Sequence, residues 1–292
     1  MRAKKLLIGV GALAVTLGLL LPAAGAQAAT KKAGVVKGQV LSSDKKSLFT
    51  VDLDGDGKEE KLSLKTKADE GSGCLTQASL TVDGKAALTF KETQALSMTV
   101  DYVQLSAEDM YLRVLLTGAN DFRELDCFYR YDADKKRMVK QAELMDSGRS
   151  GIALIESVRG MEIRVRYEMQ FTEIGTVTWN SVYTPKSGKL KPKSTSTSAK
   201  CVDHTSPGFD DYGKLFAKNQ LKANTSVKLY ADTSLKKAAF TAKKGDVLTL
   251  KKIRFAKGHF YAQMAKGDKK GWLVLEKTDT PPFYGVMERL AG

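Results

Sequence analysis

Short runs of β-branched, aromatic and aliphatic residues, separated by turn residues, recur through the N-terminal part of the chain. In the run EIRVRYEMQF, Ile163, Val165 and Tyr167 alternate with charged residues, and this period of two predicts a half-buried strand. Comparable runs lie at residues 48–53, 61–64, 78–82, 110–116, 126–131, 161–168 and 176–183. Their aromatic residues, which include Trp179 and Tyr183, are interpreted as core and cross-strand pairs rather than as a ligand cage. We predict an all-β, mainly antiparallel fold, with a meander or a partial propeller-like arrangement in this part.

The N-terminus has the order of features that defines an export signal. Three basic residues among the first five precede an apolar stretch over residues 6–21 and an A-x-A pattern at 26–28. This order predicts a signal peptide over residues 1–29 that is removed from the mature chain. The alternative is an uncleaved membrane anchor, since the apolar stretch approaches the length of a spanning helix. The A-x-A pattern favours cleavage, so we expect an exported chain without a membrane span, secreted or associated with the cell wall.

The run DLDGDGKEE at residues 52–60 places three aspartates at alternate positions, followed by a glycine and a closing glutamate. Ca²⁺ takes about six to eight oxygen ligands, which short acidic loops supply from alternate side chains and a backbone carbonyl. Carboxylates so close together repel one another unless a cation offsets their charge. The run therefore predicts a Ca²⁺ site and a compartment in which Ca²⁺ is abundant. The alternative is an acidic turn without a metal.

The flanking residues indicate which kind of calcium loop this is. An EF-hand needs a helix on each side and a glutamate at loop position 12, whereas that position is Ser63 and the flanks FTVDL and KLSL have strand character. The run resembles instead the calcium hairpins of integrin-type FG-GAP repeats, with Glu in place of the last Asp of their DxDGDGxxD pattern. That resemblance implies as ligands the side chains of Asp52, Asp54, Asp56 and Glu60 and the carbonyl of Lys58. Because the motif occurs once, it does not imply a complete propeller, whose blades repeat.

Charge and composition divide the chain near residue 185. Residues 30–185 hold 22 Lys and Arg against 24 Asp and Glu, whereas residues 201–292 hold 17 against 9. The stretch PKSGKLKPKSTSTSAK between them has few apolar residues and is typical of a linker. We predict a β domain over 30–184, a basic linker with a lead-in segment over 185–220, and a second domain over 221–292. The basic half favours a polyanion as partner, and outside a bacterial cell that is a wall or surface polymer rather than nucleic acid. The alternative is that the lysines serve solubility alone.

The last domain resembles the bacterial Src-homology-3-type domains of exported wall-associated proteins. The resemblance is carried by the runs KGD at 244–246, GHFY at 258–261 and GWL at 271–273. It implies a small β-barrel that often binds peptidoglycan or another envelope ligand, with Phe260, Tyr261 and Trp272 as candidate contacts. The alternative is that these rings belong to the barrel core. Seven lysines could form a basic rim, Lys243, Lys244, Lys251, Lys252, Lys257, Lys269 and Lys270, and the apolar tail at 280–292 is predicted to dock on the barrel as a short helix.

Catalytic motifs are absent from the sequence. The two histidines, His204 and His259, do not form a Cys/His or Ser/His pattern, and no GxSxG, HExxH or phosphate-loop motif occurs. The cysteines leave a Cys74–Cys127 disulfide and reduced thiols equally open. We expect a secreted, non-catalytic binding protein of the bacterial envelope or exterior, stabilised by Ca²⁺. The alternatives are a secreted enzyme or enzyme inhibitor with its site in the N-terminal β domain, and a structural accessory of a larger assembly.

Overall fold

Antiparallel β-strands make up almost all the regular structure of the chain, which confirms the predicted all-β fold. The computed structural model describes residues 36–41, 47–119, 123–144, 151–202, 210–256, 258–276 and 280–286. The predicted signal peptide, residues 1–29, lies outside these ranges. One helix occurs within them, α1 (Asp210–Ala217), in the segment predicted to lead into the last domain. Across the same ranges, no helix is long and apolar enough to cross a membrane.

The first sheet is a four-stranded meander of consecutive hairpins. Its strands, in both chain and sheet order, are β2 (Ser47–Val51), β3 (Glu60–Ala68), β4 (Leu75–Val82) and β5 (Lys85–Lys91). The acidic run at 52–60 connects β2 to β3, so the predicted hairpin is confirmed. The β4–β5 turn has positive φ angles of 48° at Asp83 and 77° at Gly84, as a tight hairpin turn requires.

The second sheet has five described strands and begins with a strand from before the meander. Its order is β1 (Val36–Leu41), β6 (Ser97–Gln104), β7 (Met110–Thr117), β8 (Arg123–Asp132) and β9 (Arg137–Glu143). β7, with the sequence MYLRVLLT, is buried at every residue except its last. A strand this apolar must be covered on both faces, since only one face of a half-exposed strand would be apolar.

The third sheet is the largest and extends from residue 151 to residue 275. Along its main path the strands are β10 (Gly151–Arg159), β11 (Glu162–Phe171), β12 (Gly175–Lys186), β14 (Ser196–Cys201), β18 (Val247–Ala256), β19 (His259–Lys266), β20 (Lys269–Leu275), β16 (Val227–Tyr230) and β17 (Ala238–Ala242). β13 (Lys189–Pro192) pairs with β12, and β15 (Gln220–Lys222) pairs with β18.

Two apolar cores hold the three sheets together. The first core joins Leu62 and Leu80 of the first sheet to Leu112 and Val114 on one face of the second sheet. From the other face of the second sheet, Val103, Tyr111 and Phe128 enter the second core together with side chains of β10–β12 and of β18–β20. The second sheet is therefore the middle layer and contributes to both cores.

The predicted linker is folded, which corrects that expectation. Within 185–201, β13 pairs with β12, and β14 pairs with β18 through residues 196–198 and with β12 through residues 199–201. Leu190 and Ala199 are buried, at 2% and 3% exposure. The segment is held mainly by backbone hydrogen bonds, and its polar side chains can remain in water, which explains its linker-like composition. The predicted domain limits therefore fall inside one continuous sheet.

The C-terminal tail docks as predicted, but its described part is not helical. Phe283 is 1% exposed and forms a β-bridge with Ala223. Tyr284 stacks on Tyr212 of α1 with 5.7 Å between the ring centroids. Residues 287–292 lie outside the described ranges.

Cys74 and Cys127 are thiols and do not form the disulfide that the sequence left open. Cys127 is fully buried in the first core, where burial raises the pKa of its thiol to about 11. That thiol is neutral at physiological pH and behaves as an apolar core group.

Candidate functional site

The acidic loop is anchored to the first core at both ends. Leu53, inside the loop, is 2% exposed and belongs to that core. Its backbone N–H donates to Oε2 of Glu60 at 2.7 Å, which ties the start of the loop to its end. The hydroxyl of Tyr102, from the second sheet, donates to the carbonyl oxygen of Asp52 at 3.1 Å. The rest of the loop is therefore held on a rigid base.

The two glycines of the loop bring backbone N–H groups onto one carboxylate. Gly55 and Gly57 have φ angles of 87° and 88°, in the region that residues with a Cβ rarely adopt. The N–H of Gly55 donates to Oδ1 of Asp52 at 2.6 Å, and that of Gly57 donates to Oδ2 at 3.1 Å. These bonds fix the Asp52 carboxylate at the centre of the turn.

Three of the predicted calcium ligands come together. Asp52, Asp54 and Glu60 each place a carboxylate oxygen within 4.8 Å of the others. Burial raises the pKa of Glu60, and the nearby Asp54 and Asp52 add to the rise while the N–H of Leu53 opposes it. A cluster of carboxylates with unfavourable mutual repulsion offers the oxygen ligands that a hard cation prefers.

Asp56 is oriented differently from the other three acids. Its Oδ1 accepts a hydrogen bond from the N–H of Lys58 at 2.7 Å, and its Oδ2 pairs with Nζ of Lys58 at 3.4 Å. That backbone hydrogen bond is the main reason why the pKa of Asp56 is lowered. The geometry thus groups Asp52, Asp54 and Glu60, and Asp56 is not part of this group.

Tyr261 and Trp272 lie on the same face of the third sheet, because directly paired residues of antiparallel strands project to one side. Trp272 pairs with Gln263, which pairs with Lys252. Tyr261, two residues before Gln263 on β19, pairs with Arg254. β20 has β16 as its other neighbour, and there Trp272 pairs with Tyr230.

This side of the sheet combines cationic and aromatic side chains. We refer to it as the basic–aromatic face, formed by Lys228, Tyr230, Lys252, Arg254, Tyr261, Lys270 and Trp272. Nζ of Lys228 lies 5.4 Å from the ring centroid of Tyr230. Tyr261 is buried, while Tyr230 and Trp272 are partly exposed. Of the predicted lysine rim, Lys252 and Lys270 belong to this face, and Lys257 lies outside the described residues.

Phe260 projects to the opposite side of the sheet from Tyr261. It pairs with Leu275, is 3% exposed and belongs to the second core. The three candidate ligand contacts are therefore not on one surface. Phe260 instead lines a pocket of about 330 Å³ where β9 of the second sheet approaches the third sheet.

That pocket was not anticipated from the sequence. Trp179, Tyr167 and Tyr183 line it, and the sequence placed such aromatic residues in the core. That prediction is confirmed for their burial, since all three belong to the second core. Alternation was recognised for Tyr167 in the run EIRVRYEMQF, but the approach of β9 depends on contacts distant in sequence.

Comparison with protein-family models, with curated proteins and with solved structures finds no match to this chain.

Proposed function

We propose that this protein is an exported, non-catalytic binding protein of the bacterial envelope or exterior, in which Ca²⁺ stabilises the 52–60 loop. In this proposal the C-terminal part binds a cell-wall polymer or peptide through the basic–aromatic face. Export is supported by the pattern of residues 1–29, and Ca²⁺ by the grouped carboxylates of Asp52, Asp54 and Glu60.

The observation that carries the binding proposal is the combination of cations and rings on one sheet face. Lys228, Lys252, Arg254 and Lys270 provide four positive charges on the same side as Tyr230 and Trp272. Nε of Arg254 is buried and lacks a hydrogen-bond partner among the described residues. Fixed cations attract an anionic polymer over a distance, and partly exposed rings add short-range packing. An anionic wall polymer fits this face better than a neutral peptide does.

Retention on purified cell walls at increasing salt tests the proposal. The mature protein should sediment with the walls at low salt and be released as salt rises, since screening weakens attraction between exposed charges. The paired change Lys252→Gln and Lys270→Gln should lower retention several-fold. The control pair Lys65→Gln and Lys91→Gln removes the same charge from exposed sites on the first sheet and should leave retention unchanged. A protein that stays entirely in solution at low salt, or equal losses in the two pairs, would refute binding through this face.

A further inference from the structure

The pocket beside Phe260 has the form of a small-molecule site. It lies where β9 approaches β12, β13, β14 and β18, so several elements distant in sequence close around it. Its volume of about 330 Å³ is at the lower end of the range for ligand pockets, about 300–1,000 Å³. It opens on the side of the third sheet opposite to the basic–aromatic face, because Phe260 and Tyr261 project in opposite directions.

One wall of the pocket is built from packed aromatic rings. Trp179 stacks on Tyr167 with 4.9 Å between centroids and an interplanar angle of 5°. Phe260 meets Trp179 edge to face at 5.8 Å. Phe255 packs on Phe260 at 4.6 Å and yet remains 39% exposed. The wall is therefore rigid inside and continues to the protein surface at Phe255.

Apart from Glu143, whose carboxylate pairs with Lys140 at 2.9 Å, the polar side chains among the described lining residues are neutral. Tyr167 and Tyr183 share a hydrogen bond of 2.7 Å between their hydroxyls, and burial raises the pKa of Tyr183 to about 12. Ser181 and Thr197 add further hydroxyls to the lining. Oε1 of Gln141 is buried and has no hydrogen-bond partner among the described residues. This atom has no surface open to the pocket, so a ligand there would be recognised by the hydroxyls, which both donate and accept hydrogen bonds.

We propose that this pocket binds one neutral sugar ring of hexose size. A pyranose has apolar C–H faces that pack on aromatic rings, and its edge carries hydroxyls that both donate and accept. These two properties correspond to the aromatic wall and to the hydroxyls of the lining. Among the described lining residues no side chain is cationic, which disfavours an anion, and an apolar ligand would make no use of the lining hydroxyls. The site is separate from the basic–aromatic face and does not depend on the wall-polymer proposal.

Calorimetric titration of the mature protein with glucose, N-acetylglucosamine, cellobiose and chitobiose tests this assignment. At least one of these sugars should give saturable binding. The chain has two tryptophans, so in a Trp272→Phe background the fluorescence reports Trp179 alone and should change with the same affinity. Absence of saturable binding with all four sugars, or binding of indole in place of any sugar, would overturn the proposal.

Variants locate the binding within the molecule. Ser181→Ala removes a lining hydroxyl, and Phe255→Ala removes the exposed ring at the pocket rim; each should weaken sugar binding by about 3- to 10-fold. The matched control is Val247→Ala, which shortens another exposed apolar side chain of β18, 38% exposed and outside the pocket. It should bind as the unmodified protein does. Equal affinities in all three variants, with thermal midpoints unchanged, would place the sugar elsewhere and reject this pocket.

Discussion

Arg113 is a charged residue in the middle of the most buried strand, β7. Its Nε and Nη2 donate to the two carboxylate oxygens of Asp126 at 2.7 Å and 2.6 Å. Nη1 lies 3.4 Å from Oδ2 of Asp101, and Nη2 also donates to the carbonyl oxygen of Ala153 in β10. This ion group therefore connects three strands of the second sheet to the third sheet. It lies at the interface that forms the second core.

We expect Arg113→Met to destabilise the protein strongly. The change leaves Asp126, which is 1% exposed, without the cation that compensates its charge, and breaking a buried ion pair costs about 3–5 kcal/mol. Chemical denaturation of the variant and the unmodified protein measures the loss. The double change Arg113→Met and Asp126→Leu removes the bidentate pair and should recover part of the loss, since Asp101 still lacks its cation. A single variant as stable as the unmodified protein would show that this group does not contribute to the interface.

The pKa of Asp101 predicts a dependence on pH. Burial raises this pKa above its ordinary value of 3.8, although Arg113 acts in the opposite direction. The folded state therefore holds the proton more tightly than the unfolded state. As pH falls from neutral through the raised pKa towards 3.8, protonation of Asp101 favours folding.

The measurement compares the unmodified protein with Asp101→Asn, which cannot titrate. The difference in unfolding free energy should shift in favour of the unmodified protein between about pH 7 and pH 4. Other carboxylates titrate in both proteins and cancel in the difference. A shift in the opposite direction would show that the ion pair with Arg113 outweighs burial.

Sequence reasoning placed residues 110–116 in a strand but could not supply the partners of Arg113. Asp101 and Arg113 are directly paired across β6 and β7, whereas Asp126 follows from the register of β8. Register depends on which faces are buried, and β7 is buried on both. The sequence of β7 therefore lacks the alternation of apolar and polar residues that identifies the buried face of a half-exposed strand. Without it, the register of β7 and the partners of Arg113 could not be predicted.

At the scale of single elements, the 52–60 loop combines an accurate prediction with an incomplete one. Its position between two strands followed from its flanks, and the structure confirms it. The spacing did not predict that Asp56 lies outside the group, since Asp52, Asp54 and Asp56 all accept hydrogen bonds from backbone N–H groups of the turn. Such local hydrogen bonds compete with ligation and depend on side-chain torsions that a motif does not specify.

We expect Ca²⁺ to raise the thermal midpoint and a chelator to reverse the rise. When free Ca²⁺ is about 100 times the Kd, mass action contributes about 2.7 kcal/mol, which corresponds to a shift of several degrees. Asp54→Asn should abolish the shift, since Asp54 belongs to the grouped carboxylates. The matched change Asp56→Asn should retain most of it. If the thermal midpoint of the unmodified protein is the same with Ca²⁺ and with chelator, the loop is an acidic turn that binds no metal.

The two loop glycines provide a second, independent prediction. A Cβ on Gly55 would lie 2.6 Å from the carbonyl oxygen of Ala107, whereas one on Gly57 would meet no atom within 4 Å. Both substitutions by Ala force a residue with a Cβ into positive φ, at about 1–2 kcal/mol. Gly55→Ala should cost at least about 1 kcal/mol more than Gly57→Ala, measured by urea unfolding in the presence of chelator. Equal losses would mean that the Ala107 segment moves away freely.

At the scale of the whole molecule, the sequence predicted two domains and the structure has a continuous third sheet. The composition of residues 185–200 suggested a linker because backbone pairing does not require apolar side chains. The first half of β14 pairs with β18 and its second half with β12, while its residues are mostly Ser, Thr and Lys. Amino-acid composition indicates whether side chains are buried. The contacts that hold β14 are backbone hydrogen bonds, which composition does not reveal.

Continuity of the sheet predicts that the mature protein unfolds in one cooperative transition. The second core contains Tyr111 from β7, Trp179 from β12 and Leu275 from β20, so residues more than 160 positions apart share one apolar interior. Separation of the N-terminal and C-terminal parts would expose Trp179, Phe171 and Phe260, whose rings contact one another. Exposing three such side chains costs several kcal/mol, because each contributes about 1.5–3 kcal/mol when buried. The two parts should therefore not unfold independently.

Thermal unfolding followed by far-ultraviolet circular dichroism and by tryptophan fluorescence measures this coupling. Trp179 reports the second core and Trp272 the basic–aromatic face, and both signals should change at the midpoint seen by circular dichroism. Leu80 lies in the first core, remote from both tryptophans. Leu80→Ala should destabilise the protein by about 2–5 kcal/mol, as buried Leu→Ala changes do. The midpoints from circular dichroism and from the fluorescence of each tryptophan should therefore fall together. Two resolved transitions, or a Leu80→Ala effect seen only by circular dichroism, would support the predicted division into separate domains over 30–184 and 221–292. That outcome would make β14 a bridge between independent domains, whereas a single transition makes it an internal strand of one cooperative unit.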